Sequence, residues 1–116
     1  MDISVIIPVY NEDKYVNKII NKVNDVKIKK EIIVVNDGST DNTIQELKKI
    51  NLSNLKIIDN NINKGKGYAI RCGLKYVNND IVIIQDADLE YNPLDYPNLI
   101  EPFNKMDKIV VYGSRF

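Results

Sequence analysis

No histidine occurs in the 116 residues. That excludes Ser-His-Asp and Cys-His catalysis, His-ligated zinc and a histidine pH switch. The single cysteine, Cys72, excludes an internal disulfide and a Cys-rich metal site, and reads as a small apolar core residue. An excess of charge of one sign is also missing. Lys+Arg and Asp+Glu both total 16, which argues against a nucleic-acid binder working by bulk charge. No apolar run reaches the length of a membrane span. The opening Met1-Asp2-Ile3-Ser4-Val5-Ile6-Ile7-Pro8 lacks a basic stretch, so no signal peptide is expected and the chain is expected to be cytoplasmic. Internal repeats, low-complexity tracts and linkers are absent, as are G-x-G-x-x-G and G-x-x-x-x-G-K-[ST].

What is present is an ordinary globular composition, 44% hydrophobic and 28% charged, in a length that fits one domain over residues 1–116. Short runs rich in Ile and Val recur at even spacing: Ile3 to Val9, Glu31 to Val35, Leu55 to Ile58, Ile81 to Ile84 and Ile109 to Tyr112. Near-continuous apolar character suits strands buried on both faces, as in a parallel sheet. Helical spacing fills the gaps over Asn11 to Asp25, Asp41 to Ile50, Gly67 to Val77 and Asp95 to Met106, with Thr40 or Asp41 as an N-cap for the second. The order β-α-β-α-β-α-β-α-β predicts an α/β fold with a mainly parallel sheet, right-handed crossovers and helices on both faces. Ligands of such sheets bind beyond the carboxyl ends of the strands.

The segments that follow the strands are polar. Asp86-Ala87-Asp88 places two carboxylates one residue apart at a strand end. They repel each other unless a cation sits between them, and oxygen donors suit Mg2+ or Mn2+; a solvated acidic loop or a helix cap is the duller alternative. Asp37-Gly38-Ser39 is either a turn that caps the next helix or a carboxylate acceptor for a nucleobase. Lys64-Gly65-Lys66-Gly67 opens a helix with two glycines and two lysines, which suits a diphosphate as well as a plain surface turn. Arg115, after Gly113 and Ser114, is either a phosphate clamp or a solvated arginine. Tyr10 and Tyr68 are candidates to stack on a base or to pack at a rim.

Five segments stand in one order and spacing: Val5-Ile6-Ile7-Pro8-Val9-Tyr10-Asn11-Glu12, Ile33 through Asp41 with Asn36-Asp37-Gly38-Ser39, Asn63-Lys64-Gly65-Lys66-Gly67, Asp86-Ala87-Asp88-Leu89 and Gly113-Ser114-Arg115. Together they resemble the family 2 glycosyltransferases of GT-A fold, most nearly the dolichol-phosphate mannosyltransferase and polyprenyl-phosphate glycosyltransferase branch. The resemblance implies a Rossmann-like GT-A nucleotide-binding core. It implies that Pro8, Tyr10 and Glu12 line the nucleotide pocket, that Asp37 binds the base, and that Gly65 and Lys66 border the nucleotide. It implies that Asp86 and Asp88 hold the metal, with Glu90 beside it where this branch often has glutamine, and that Arg115 faces a phosphate. Asn36 departs from a common aspartate and Asn42 from a common glycine. The family's catalytic domain continues beyond Gly-Ser-Arg, so the chain corresponds to its N-terminal portion.

The activity so implied is metal-dependent, inverting transfer of a sugar from a GDP- or UDP-sugar to a polyprenyl or dolichyl phosphate, at the cytoplasmic membrane face in the full-length protein. A phosphate acceptor is already anionic and needs little general-base help, so the missing histidine is no obstacle. Other readings are a nucleotide-sugar-binding half-domain without turnover, and a phospho-receiver domain, for which Glu12, Asp59 and Arg115 match poorly. A nucleotidyltransferase would need a glycine-rich segment after the first strand. An exposed sheet edge makes self-association an expectation as well.

Overall fold

β-Branched residues that run together without alternation form strands covered on both sides. The computed structural model describes residues 2–87 and 109–113. Its elements are β1 (Ile3–Val9), α1 (Val16–Asp25), β2 (Lys30–Asp37), α2 (Thr43–Lys48), β3 (Leu55–Asn60), α3 (Lys66–Leu74), β4 (Ile81–Gln85) and β5 (Ile109–Gly113). The predicted helix over Asp95 to Met106 lies outside the described residues. All the strand pairs are parallel, in the order β3-β2-β1-β4-β5. Every residue of β1 and β4 is buried, whereas β3, at one edge, is half-covered.

Helix placement follows from handedness. The chain winds outward from β1 to β3, then returns past β1 to β4, and right-handed crossovers send helices to opposite faces when the direction reverses. Val5, Ile7 and Val9 pack with Val16, Ile19, Ile20 and Val23 of α1 and Leu47 of α2. Ile6, Ile33, Val35, Val82 and Ile84 pack with Ala69, Ile70 and Leu74 of α3 on the other side. Cys72 packs against this second layer but is only partly buried, short of the core place expected of it, with Asn60 Nδ2 3.7 Å from its Sγ. Gly73 brings α3 close to the sheet: a Cβ there would lie 2.9 Å from Cγ2 of Ile6.

Helices α1 and α2 begin later than their apolar spacing predicts, for a local reason, whereas α3 begins one residue earlier, at Lys66. Asn11 has a φ of 53°, a left-handed conformation that asparagine tolerates. The N–H groups of Asn11, Glu12 and Asp13 are drawn to Ser39, Thr43 and Asp41, so α1 starts only at Val16. Helix α2 starts at Thr43, and its N-cap is Asn42 without a side-chain cap bond, in place of the expected Thr40 or Asp41. Strands β2 and β3 run two residues further than their apolar cores, because Asn36 and Asp37 still pair with Asp59 and Asn60.

The amino ends of the strands are closed by Glu31. Its carboxylate accepts hydrogen bonds from Ser4 Oγ at 2.5 Å and from the Asn78 N–H and Nδ2 at 2.5 and 2.9 Å. Burial pushes this carboxyl up, but the Ser4 and Asn78 hydrogen bonds and the nearby Lys56 charge outweigh it, so it titrates below its ordinary 4.5. A lowered folded-state value gives stability that is complete above 4.5 and is lost as pH falls through the folded-state value. Urea midpoints at pH 7 and pH 3 should therefore fall further for the wild type than for Glu31→Gln. Equal losses would show that Glu31 carries no such linkage.

Candidate functional site

The sheet opens where β1 and β4 part. Strand β4 pairs with β1 only from Ile3↔Ile81 to Ile6↔Ile84, while β1 continues beside β2 through Ile7, Pro8 and Val9. This is the switch point in strand order, and Pro8, which has no N–H to give a ladder, stands beyond the last β4 pair. A cleft of about 480 Å³ occupies the position, lined among others by Pro8, Tyr10, Glu12, Asp37, Gly65, Lys66 and Asp86. Every one of these was singled out by the sequence, and the fold brings them together.

Asp37 shapes one wall. It is 3% exposed. Its Oδ1 accepts the Lys64 N–H at 3.0 Å, and Oδ2 accepts the Gly65 N–H at 2.8 Å and Asn63 Nδ2 at 3.2 Å. The Asn63 amide also donates to the Asp37 carbonyl at 3.2 Å. The carboxylate thus clasps the turn that opens α3 and does not cap its own following helix. Gly38 allows the approach: with φ at +68°, a Cβ there would lie 2.4 Å from the backbone nitrogen of Asn63. Gly65 has a φ of +97°, a region costly for other residues, and turns the chain into α3. Asn63, whose side chain makes the return contact, has no role that its motif alone reveals. An amide placed just before a lysine-glycine turn was the available signal.

Asn36 and Asp41 hold the remaining wall. Asn36 is buried. Its Nδ2 donates to Asp59 Oδ1 at 2.9 Å, and its Oδ1 accepts from Ser39 Oγ at 2.5 Å. The departure from aspartate therefore has a partner: a carboxylate at 36 would face the carboxylate of Asp59. Asn11 Oδ1 accepts the Thr40 N–H at 2.8 Å and the Asp41 N–H at 3.3 Å. Asp41 in turn accepts the Asp13 N–H at 3.3 Å and the Thr43 N–H at 2.9 Å. Burial pushes the Asp41 carboxyl up, but the Thr43 and Asp13 hydrogen bonds outweigh it, so it titrates below its ordinary 3.8. These bonds stitch the segment after β1 to the segment after β2 and fix Tyr10 and Glu12 between them. Tyr10 is 45% exposed at the mouth of the cleft.

Across the cleft, Asp86 Oδ1 forms an ion pair with Lys66 Nζ. Fully buried Gln85 donates its Nε2 to the Asp86 carbonyl at 3.1 Å and steadies the strand end. Lys64 takes a different course. Its ammonium lies 4.9 Å from the centre of the Tyr68 ring, in a neighbouring recess with Asp59 and Ile62. So only Lys66 of the two lysines lines the main cleft, and Tyr68 stands apart from Tyr10. Asp88, Glu90 and Arg115 lie outside the described residues. Among the described residues no three carboxylate or thiol side chains converge as a ready metal cluster.

A nucleotide-sized cleft at the switch point, with a carboxylate at its β4 rim, fits many α/β proteins, and family comparison decides among them. Residues 4–116 match the family model for Glycosyl transferase family 2. The chain belongs to that family. It is 32% identical over 119 residues to the dolichol-phosphate mannosyltransferase of Pyrococcus furiosus, covering 100% of this chain and 34% of that relative. It is 35% identical over 106 residues to the undecaprenyl-phosphate 4-deoxy-4-formamido-L-arabinose transferase of Pseudomonas fluorescens, covering 85% and 31%. Among solved structures, a mannosyltransferase from Pyrobaculum calidifontis in complex with GDP-Man and Mn2+ superposes with a TM-score of 0.73 at 26% identity, covering 80% of this chain and 29% of that one. Glucosyl-3-phosphoglycerate synthase from Mycobacterium tuberculosis, in complex with Mn2+, UDP and glucosyl-3-phosphoglycerate, gives 0.72 at 28% identity, covering 88% and 39%. The fold is therefore the GT-A form of the Rossmann-like sheet. The family 2 chain spans about a third of the length of the relatives it matches.

The Asn36–Asp59 pair yields a test. Asn36→Asp should destabilise the family 2 chain by about 1–3 kcal/mol, because a carboxylate at the buried position 36 loses its hydrogen bond to the exposed Asp59 carboxylate and faces it instead. Adding Asp59→Asn should recover much of that loss by exchanging donor and acceptor. Urea unfolding of the two single variants and the double variant measures it, and additive losses would contradict the pairing.

Proposed function

We propose that these residues form the donor half of a metal-dependent, inverting glycosyltransferase. The donor is a GDP- or UDP-sugar and the acceptor a polyprenyl phosphate. The observation that carries the reading is the convergence of Tyr10, Asp37, Lys66 and Asp86 on one cleft at the carboxyl edge of the sheet. An exposed aromatic ring at the mouth offers a stacking face for a base. Asp37 keeps lone-pair capacity on Oδ1, which accepts a single N–H from the protein. A carboxylate acceptor favours uracil and guanine, each of which has a ring N–H to donate, over cytosine and adenine, whose corresponding ring nitrogen is an acceptor. Arg115 is proposed to face a phosphate.

The residues present fit a divalent cation. The Asp86 carboxylate faces the cleft and already holds a cationic group, the Lys66 ammonium, and hard oxygen donors suit Mg2+ or Mn2+. Asp86 and Asp88 would hold the ion, with Glu90 beside them. When bound, it supplies neutralisation of the charge that builds on the departing diphosphate. The rest falls to the chain. Tyr10 and Asp37 orient the base. The α3 amino end, held by the Asp37 clasp, presents its first-turn N–H groups toward anionic oxygens. Glu12 and Pro8 close the floor. The phosphate acceptor arrives ionised, so no residue is required to remove its proton.

The names of the relatives support a polyprenyl phosphate acceptor and hence work at a membrane face. Among the described residues no helix is long and apolar enough to cross a membrane. Self-association would use the β3 edge of the sheet, where Lys56 lies 4.9 Å from the ring of Tyr76. A charge beside an edge strand opposes strand addition.

Calorimetric titration tests the donor site without requiring turnover. UDP or GDP should bind in the presence of Mn2+, and ADP should bind more weakly. Asp86→Asn or Asp88→Ala should weaken the Mn2+-dependent binding at least about ten-fold, or about 1.4 kcal/mol. Tyr10→Ala should cost about 1–3 kcal/mol, the scale of one base stacked on one ring. Nucleotide binding unchanged by either carboxylate substitution would overturn the metal role.

A further inference from the structure

The sequence suggests that Asp86 waits for a metal and Lys66 for a diphosphate. The structure joins the two. Lys66 is the first residue of α3, and its ammonium is paired with Oδ1 of Asp86. A cation at a helix amino end is disfavoured by the helix dipole, and the Asp86 carboxylate offsets that cost. The position of Lys66 is imposed from behind: Gly65, with its N–H held by Asp37 at 2.8 Å and its φ of +97°, aims the first turn of α3 at the β4 rim.

From this pair we infer that Lys66 is a resident counter-ion of the metal-binding carboxylate, which a divalent cation must displace before it can load. The inference rests on the functional reading above. The Lys66 ammonium and a divalent ion cannot both hold Oδ1 of Asp86 at contact distance without strong repulsion. Displacement takes the Asp86 carboxylate away from Lys66 at the α3 amino end. An incoming diphosphate supplies negative charge to both cations. Metal alone therefore binds weakly, metal with nucleoside diphosphate binds tightly, and the coupling is reciprocal. The site would thus resist filling by a metal in the absence of its donor. Lys64 has no share in this, because its ammonium lies over Tyr68.

Mn2+ binding to the whole chain, followed by the loss of the free-ion signal in electron paramagnetic resonance, provides a test that needs no turnover. Without nucleotide, Lys66→Met should bind Mn2+ about three- to ten-fold more tightly than the wild type. With UDP or GDP present, the same variant should bind Mn2+ more weakly than the wild type, so the coupling factor falls. Lys66→Arg, which keeps the charge, and Lys64→Met, which removes a charge from the adjacent recess, should each stay within about two-fold of the wild type without nucleotide. If Lys66→Met melts below the assay temperature, Lys66→Gln carries the same expectations. Unchanged or weaker Mn2+ binding by the Met or Gln variant overturns the inference, and so does an equal gain in Lys64→Met or Lys66→Arg. Asp86→Asn separates the two claims. If it leaves Mn2+ affinity unchanged, the metal reading itself fails; if it lowers the affinity and Lys66→Met does not raise it, only the displacement fails.

Discussion

One buried carboxylate organises this site. Asp37 ends β2, and its two oxygens gather the Asn63 amide and the N–H groups of Lys64 and Gly65. Hydrogen bonds to a charged partner are worth about 1.5–3 kcal/mol each, and here they fall on consecutive residues of one turn. The turn has few ways to move while that clasp holds. The direction of α3 follows from it, and with that direction comes the placement of Lys66 against Asp86. Gly38 and Gly65 are the backbone conditions for the clasp, the first by admitting the Asn63 backbone and the second by taking a positive φ.

The cleft itself is a property of topology. Strand order reverses at β1, so α1 and α2 cover one face and α3 the other. At the carboxyl edge, β1 outlasts its pairing with β4. Among the described residues no helix covers the gap, and residues at or just after the ends of β1, β2 and β4 reach it. The hydrophobic layers position these ends and contribute nothing to their chemistry. The amino edge is different in kind: Glu31, Ser4, Asn78 and Asn79 close it with hydrogen bonds among themselves and the backbone.

Much of this was legible in the residues. The Ile- and Val-rich runs gave the strands because their burial is nearly complete on β1, β2 and β4. The five described strands and three described helices appear in the predicted order, and the polar segments after the strands gave the cleft. Three features were hidden. The late start of α1 depends on bonds between Asn11–Asp13 and Ser39–Thr43, some 28 residues apart in sequence, and local spacing carries no trace of them. The role of Asn36 needs its neighbour Asp59 on another strand. The split between the two lysines, one on Asp86 and one on Tyr68, depends on the positive-φ turn at Gly65 that stands between them. Each is a tertiary contact between groups whose types were visible but whose pairing was not.

The central claim is that a divalent cation and a nucleoside diphosphate share the cleft between β1, α3 and β4. Paramagnetic broadening of backbone amide signals by Mn2+, with UDP or GDP present, measures this most directly, because it falls off steeply with distance from the ion. The account predicts broadening centred on Asp86 and Ala87, extending to Gly65, Lys66 and Tyr10, and sparing Glu31 and Asn78 at the opposite edge. Broadening centred elsewhere, or at Asp86 no stronger than at Glu31, would contradict it.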